Sequence, residues 1–172
     1  MNFLISYLIS WLTHSFFSRM GAANYISQLL IRIKRHIDNN ILIVGDINTP
    51  LLTIDRSSKQ KISKETRGLN DILDQMDLID IYRTLHPRTT EYSFFSNSHG
   101  TFSRINHILG HKTGLNQYRK TEIIPCIFSD HSALKLEFKQ KKKKFGRNSN
   151  TWKLRTILLK NDWVGAPGWH SG

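Results

Sequence analysis

The run Ile41-Leu42-Ile43-Val44, closed by Gly45-Asp46, is the feature that most limits what this chain can become. It is apolar throughout, partly β-branched, too short for a helix and bounded by turn formers, so it reads as a buried strand emptying into a loop. Ahead of it, Ile26, Leu29, Leu30, Ile33 and Ile37 recur at helical spacing while Arg32, Arg35 and His36 fall off that face, which predicts an amphipathic helix over residues 24–38. Helix beside buried strand marks the α/β class. Thr66 is the expected cap of a second helix with Leu69, Ile72, Leu73 and Met76 inward. Strands are expected at 91–95, 101–109, 121–128 and 132–139. The last alternates Leu134, Leu136 and Phe138 against Lys135, Glu137 and Lys139, the pattern of a sheet with one covered face.

The flanks differ in composition from this middle. Residues 1–20 carry no charged side chain before Arg19, and read as a helix they line up Asn2, Ser6, Ser10 and Thr13. They are expected to form an unrelated apolar segment packed on or beside the domain. A signal peptide would need a charged start and a cleaner apolar core, and Ser, Thr and His interrupt any membrane-spanning run. After Phe138 come Lys141-Lys142-Lys143-Lys144 and a polar, turn-rich stretch, then a short helical piece at 152–159 and a loose end. The expected division is therefore 1–20, a domain over 21–140, and a basic linker and tail over 141–172.

Charge narrows the partner. Lys and Arg number 25 against 13 acids, a formal charge of +12, which is the footprint of a polyanion binder. The plainer reading puts much of that excess in a solvated tail around the lysine run. The lone Cys126 excludes an intrachain disulfide and a thiolate zinc site, and it fits a reducing compartment, nucleus or cytoplasm, with secretion through the first segment as the minor alternative. The sequence sets no oligomeric state.

Three stretches can carry chemistry. Asp46 and Asn48 stand two apart at a strand's carboxyl end, where α/β sheets gather ligands; on an extended chain both face one side, the carboxylate able to take a proton from water and the amide to hold water or phosphate oxygen. Equally, such residues form turns by bonding their own backbone. Ser129-Asp130-His131 combines hydroxyl, carboxylate and imidazole, a set suited to phosphate esters and a hard cation. The stretch from Thr101 to His107 reads alone as an ordinary hairpin strand.

Taken in order, Gly45-Asp46-Ile47-Asn48-Thr49-Pro50, the stretch from Asp77 to Pro87, Glu91-Tyr92-Ser93-Phe94-Phe95-Ser96, Ser103-Arg104-Ile105-Asn106-His107-Ile108-Leu109-Gly110 and Ser129-Asp130-His131-Ser132 resemble the endonuclease domain of LINE-type retrotransposon polyproteins, of the apurinic-endonuclease and exonuclease III type. The resemblance covers residues 21–164 and the family's second half. It implies part of a four-layer αββα sandwich with the site at one end. It also implies that Asp46 activates the attacking water, Asn48 orients it or the scissile phosphate, Asp130 helps place Mg²⁺, and His131 stabilises charge on the phosphorane. Arg56, Ser93, Ser103, Ile105 and Ser129 fall where the family contacts DNA. Two departures accompany it: nothing before Gly21 matches the family's metal-binding Glu, and Asn106 stands where the family has an aspartate beside the histidine. The resulting expectation is a truncated, inactive relic that binds DNA weakly and without sequence preference. The alternatives are an active Mg²⁺-dependent nuclease completed by another chain, and a membrane-surface or interaction protein.

Overall fold

The computed structural model describes residues 6–9, 21–58 and 60–139. The lysine run, the helical piece at 152–159 and the loose end lie outside these residues. A four-stranded sheet is ordered β1 (Ser6–Ile9), β2 (Leu42–Asp46), β6 (Asn106–His111), β3 (Leu78–Asp80). β1 runs parallel to β2, and β6 antiparallel to both β2 and β3. The helical reading of the first segment is therefore corrected at Ser6–Ile9: the backbone there pairs with the edge of β2 that β6 leaves open, and a sheet ladder overrides a 3.6-residue pattern.

β2 is buried on both faces, as its unbroken apolar run requires. Ile41 and Ile43 enter one core with Leu78 and Leu109, under helices α1 (Ala22–Ile33) and α2 (Lys64–Gln75). Leu42 and Val44 enter a second core with Ile108, Ile81 and Tyr118, beneath the hairpin of β7 (Tyr118–Ile124) and β8 (Ala133–Phe138). Helices, sheet and hairpin thus stack as three layers among the described residues. Gly110 matters in the second core: a Cβ there would lie 2.7 Å from the Tyr118 phenol oxygen and 2.9 Å from Ile81 Cδ1, so a larger residue would force those two side-chain tips to shift.

α1 buries Ala23, Ile26, Leu29, Leu30 and Ile33 and gives way to a 3-10 turn at Lys34–His36, short of the expected residue 38. α2 is capped by Ser63, whose hydroxyl accepts the Thr66 N–H at 3.1 Å, rather than by Thr66. The cap side chain must precede the first helical residue to reach the third N–H, and Thr66 is that third position. Thr66 instead turns its hydroxyl to Thr49 at 3.2 Å, tying the helix to the loop after β2.

The strand expected over 101–109 is broken into β5 (Thr101–Ser103), paired with β4 (Phe94–Ser96), and β6. At the break the Arg104 N–H donates to the Asp55 carbonyl at 2.8 Å and the Ile105 N–H to the Ser93 hydroxyl at 3.2 Å, so neither serves a ladder. β7 stops at Ile124 because Pro125 has no N–H to give. Between β3 and β4 a one-turn helix, α3 (Ile81–Leu85), starts on the Asp80 side chain, which accepts the Arg83 N–H at 3.2 Å.

Candidate active site

β2 and β6 set the site, because their register pairs Asp46 with Asn106 at the end of the sheet. Across from them, an isolated bridge from Phe94 to His131 and a 3.1 Å bond from the Phe95 N–H to the Asp130 carbonyl bring the 129–132 loop over β4. His131 Nδ1 then lies 3.1 Å from Asn106 Oδ1, and its Nε2 lies 3.9 Å from Asp46 Oδ2. The amide oxygen can only accept, so Nδ1 carries the proton it receives. The Phe94 ring, 4.7 Å from the imidazole, braces it from the side. The His131 and Asp46 side chains are 31% and 30% exposed, within reach of a substrate yet partly shielded from water.

Asp46 forms the turn its sequence context allowed and keeps one oxygen out of it. One oxygen accepts the Asn48 N–H at 2.8 Å and shapes the turn; the other faces His131. Asn48 itself is corrected in one respect. β2 ends at Asp46 and Asn48 has φ 53°, left-handed, so the alternation of an extended chain does not put its side chain beside that of Asp46. It remains exposed at the mouth. Asp130 is exposed as well, with the Ser129 hydroxyl 3.5 Å from its carboxylate, and the Ser129 hydroxyl accepts the His131 N–H at 3.1 Å.

The expected DNA contacts divide. Arg56 bridges to Ser103 at the hairpin end and donates Nη1–H to Gln60 at 3.0 Å; Arg56 and Ser103 are half-buried, and Ser129 is exposed. Ser93 and Ile105 are corrected, because they are buried at 0% and 5% exposure and cannot meet a strand of DNA. The Ser93 hydroxyl accepts the N–H groups of Ile105 and Asn106, both at 3.2 Å, so it holds the site from behind.

A second polar cluster lies directly beneath, and sequence reasoning missed it. Asp55 Oδ1 accepts Arg83 Nη2–H at 2.5 Å and Arg104 Nε–H at 3.0 Å, with Arg104 Nη2 a further ion-pair contact at 2.9 Å; Asp80 Oδ2 lies 2.7 Å from both Arg104 Nη1 and His107 Nδ1. His107 Nε2 donates to the Thr49 carbonyl at 3.0 Å, and the Arg104 guanidinium sits 5.1 Å over the Tyr82 ring. Burial alone would push the Asp80 carboxyl up, but the hydrogen bond and charge of His107, with those of Arg104, hold it down at about 2. Its members come from four separate segments. The available signal was a row of charges, Asp80, Arg83 and Arg104, set among residues that pattern as buried.

Among the described residues no three His, Cys, Asp or Glu side chains converge as a closed metal cage. The donor chemistry nonetheless suits Mg²⁺ in one respect: that ion keeps most of its waters and needs only one or two carboxylates beside substrate phosphate, and Asp130 presents one to solvent. No described helix is long and apolar enough to cross a membrane.

The chain belongs to the endonuclease/exonuclease/phosphatase family, whose profile matches residues 5–131. That match begins upstream of residue 21, where the resemblance was expected to start, and takes in the Ser6–Ile9 strand. The chain is similar to an uncharacterised 149 kDa protein of transposon TX1 from Xenopus laevis, at 26% identity over 101 residues, 58% of this chain and 8% of that protein. Its fold is similar to an AP endonuclease from Archaeoglobus fulgidus, with TM-score 0.57, 20% identity, and 67% of this chain and 54% of the other covered. An AP endonuclease from Leishmania major matches at TM-score 0.56 and 16% identity, over 76% of this chain and 46% of that one. A 3'-5' exonuclease from Neisseria meningitidis matches at 0.54 and 17%, over 77% and 57%. The chain thus spans about half the length of these solved structures and a small part of the transposon protein.

Proposed function

We propose that this chain is a DNA-binding domain of the phosphodiester-cleaving type, related to retrotransposon endonucleases, in which cleavage is suppressed by Asn106. The observation that carries this reading is the imidazole of His131 held between Asn106 Oδ1 at 3.1 Å and Asp46 Oδ2 at 3.9 Å. The second separation is too long for a hydrogen bond, so Asp46 Oδ2 and His131 Nε2 are not spent on each other and both would be available to a phosphoryl oxygen or an attacking water lying beside them. Asp46 Oδ2 would take the proton of that water, and His131 Nε2 would meet the charge that grows on phosphorus-bound oxygen. Asn48 and Ser129 at the mouth would position the diester. Asp130 would hold Mg²⁺, whose chemistry when bound is Lewis-acid help to the phosphoryl oxygen and the leaving group.

The weakness lies in Asn106. It orients the ring as an aspartate would, but a neutral amide adds no charge to favour the imidazolium. The same carboxylate-to-amide change in a serine-protease triad costs about 10⁴-fold. With one exposed carboxylate for the metal as well, hydrolysis is expected to be at or near background. DNA binding does not need that charge. The +12 excess supports weak, sequence-indifferent binding through phosphates, and affinity should fall steeply between low and physiological salt as counterions are released. A fluorescence titration on duplex DNA at several salt concentrations tests this: a salt-independent Kd would sink the electrostatic account.

A further inference from the structure

The second core is unevenly covered. Leu42, Ile81, Ile108 and Tyr118 are buried in it, whereas Val44 and, on β8, Leu134 and Leu136 are only half-buried. β8 is also an edge. It pairs with β7 on one side, and among the described residues the backbone groups of residues 133–137 that face away from β7 meet no strand and no other partner. β7 differs, because His86 Nε2 meets its Thr121 carbonyl at 3.0 Å. Two strands alone make a marginal sheet, and an open edge with apolar side chains on one face is a template for a further strand.

We infer that this edge is filled by the chain's own residues 151–158, which add to β8 as an antiparallel strand. Residues 140–172 follow directly on β8, so the occupant is tethered to the edge it fills. Within them Trp152 and Leu154 alternate with Lys153 and Arg155, the two-sided pattern that β8 itself shows with Leu134 and Leu136 against Lys135 and Glu137. In a helix Trp152 and Leu154 would fall on nearly opposite sides, so the helical piece expected there gives way to an extended one. The apolar face of the added strand covers Leu134, Leu136 and Val44, while Lys153 and Arg155 emerge on the outer face beside Glu137. The connection over residues 140–150 reaches up to roughly 35 Å, against about 20 Å for the length of β8, and Gly146, Asn148 and Asn150 supply turn formers. Running antiparallel, the strand leads back toward Ala133 and the 129–132 loop. Residues 10–20, the other apolar stretch, connect β1 to α1 on the opposite face of the sheet. A second copy of the chain would have to compete with a segment held by its tether at an effective concentration on the order of millimolar.

Nuclear magnetic resonance on the full chain tests this. Cross-strand Overhauser contacts should join backbone protons of residues 151–158 to those of residues 133–137, and the outward-facing amides of β8 should be protected from hydrogen exchange. Trp152→Asp with Leu154→Asp should speed exchange at those amides by at least about tenfold and leave the protection of β2 and β6 unchanged. Lys153→Ser with Arg155→Ser, on the opposite face of the same strand, should keep the contacts and the slow exchange. Absence of the Overhauser contacts in the natural chain, or outward β8 amides that exchange there at unprotected rates, overturns the proposal without any variant having to fold. Protection that survives Trp152→Asp with Leu154→Asp overturns it as well. Protection that rises with chain concentration, together with a dimer in sedimentation, would make the occupant a second copy, and the proposal would fall.

Discussion

Adjacent residues of β6 serve two opposite arrangements. Asn106 faces a half-exposed site with unused hydrogen-bonding capacity; His107, on the other side of the same strand, is locked into a buried cluster with Asp80, Arg104, Asp55 and Arg83. The buried cluster pairs its charges tightly, which is what low dielectric demands of groups that cannot ionise alone. The exposed site leaves oxygen and nitrogen unspent, as a place that must accept a substrate does. The one supports the other: His107 bonds the Thr49 carbonyl, one residue beyond Asn48, and Arg104 fixes the bend that delivers Asn106.

Breaking the buried cluster should therefore cost most. Arg104→Met leaves two buried carboxylates short of a cation and is expected to remove about 3–5 kcal/mol of stability, read from urea unfolding. A loss within experimental error would mean the cluster is not desolvated as described. Next comes acid. The Asp80 carboxyl is depressed to about 2 from an ordinary 3.8, so its contribution is complete above pH 3.8 and is lost as pH falls toward 2. The size is on the order of 2 kcal/mol, and Asp80→Asn should flatten that part of the stability profile. Ser63→Ala removes the cap of α2 and should cost about 1 kcal/mol. At the exposed site, His131→Ala should change stability by less than about 0.5 kcal/mol in the same urea experiment; a loss as large as that of Arg104→Met would erase the distinction between the two regions.

What the sequence revealed follows the same division. The β2 run, the inner face of α1 and the one-sided alternation of β8 were legible because burial repeats locally at strand or helix spacing. The Asn106–His131 pair, 25 residues apart, was reachable only through the family resemblance. The buried cluster left only charges among apolar neighbours as a sign, and its pairing was not legible, since no local pattern joins Asp55 to Arg104 across 49 residues. That omission also explains the merged β5–β6 strand: without a destination for the Arg104 side chain, nothing in Thr101 to Leu109 announces a break. Ser93 and Ile105 were taken for surface contacts for the same reason, their backbone bonds around the bend being invisible in the sequence.

The central claim is that Asn106 occupies the position from which a charge would activate His131. Nicking of supercoiled plasmid in Mg²⁺ tests it most directly, comparing the natural chain with Asn106→Asp and with Asn106→Asp carrying His131→Ala. The account predicts that Asn106→Asp nicks at least about tenfold faster than the natural chain, with an unchanged urea midpoint, and that His131→Ala abolishes the gain. Equal rates for the natural chain and Asn106→Asp would contradict it.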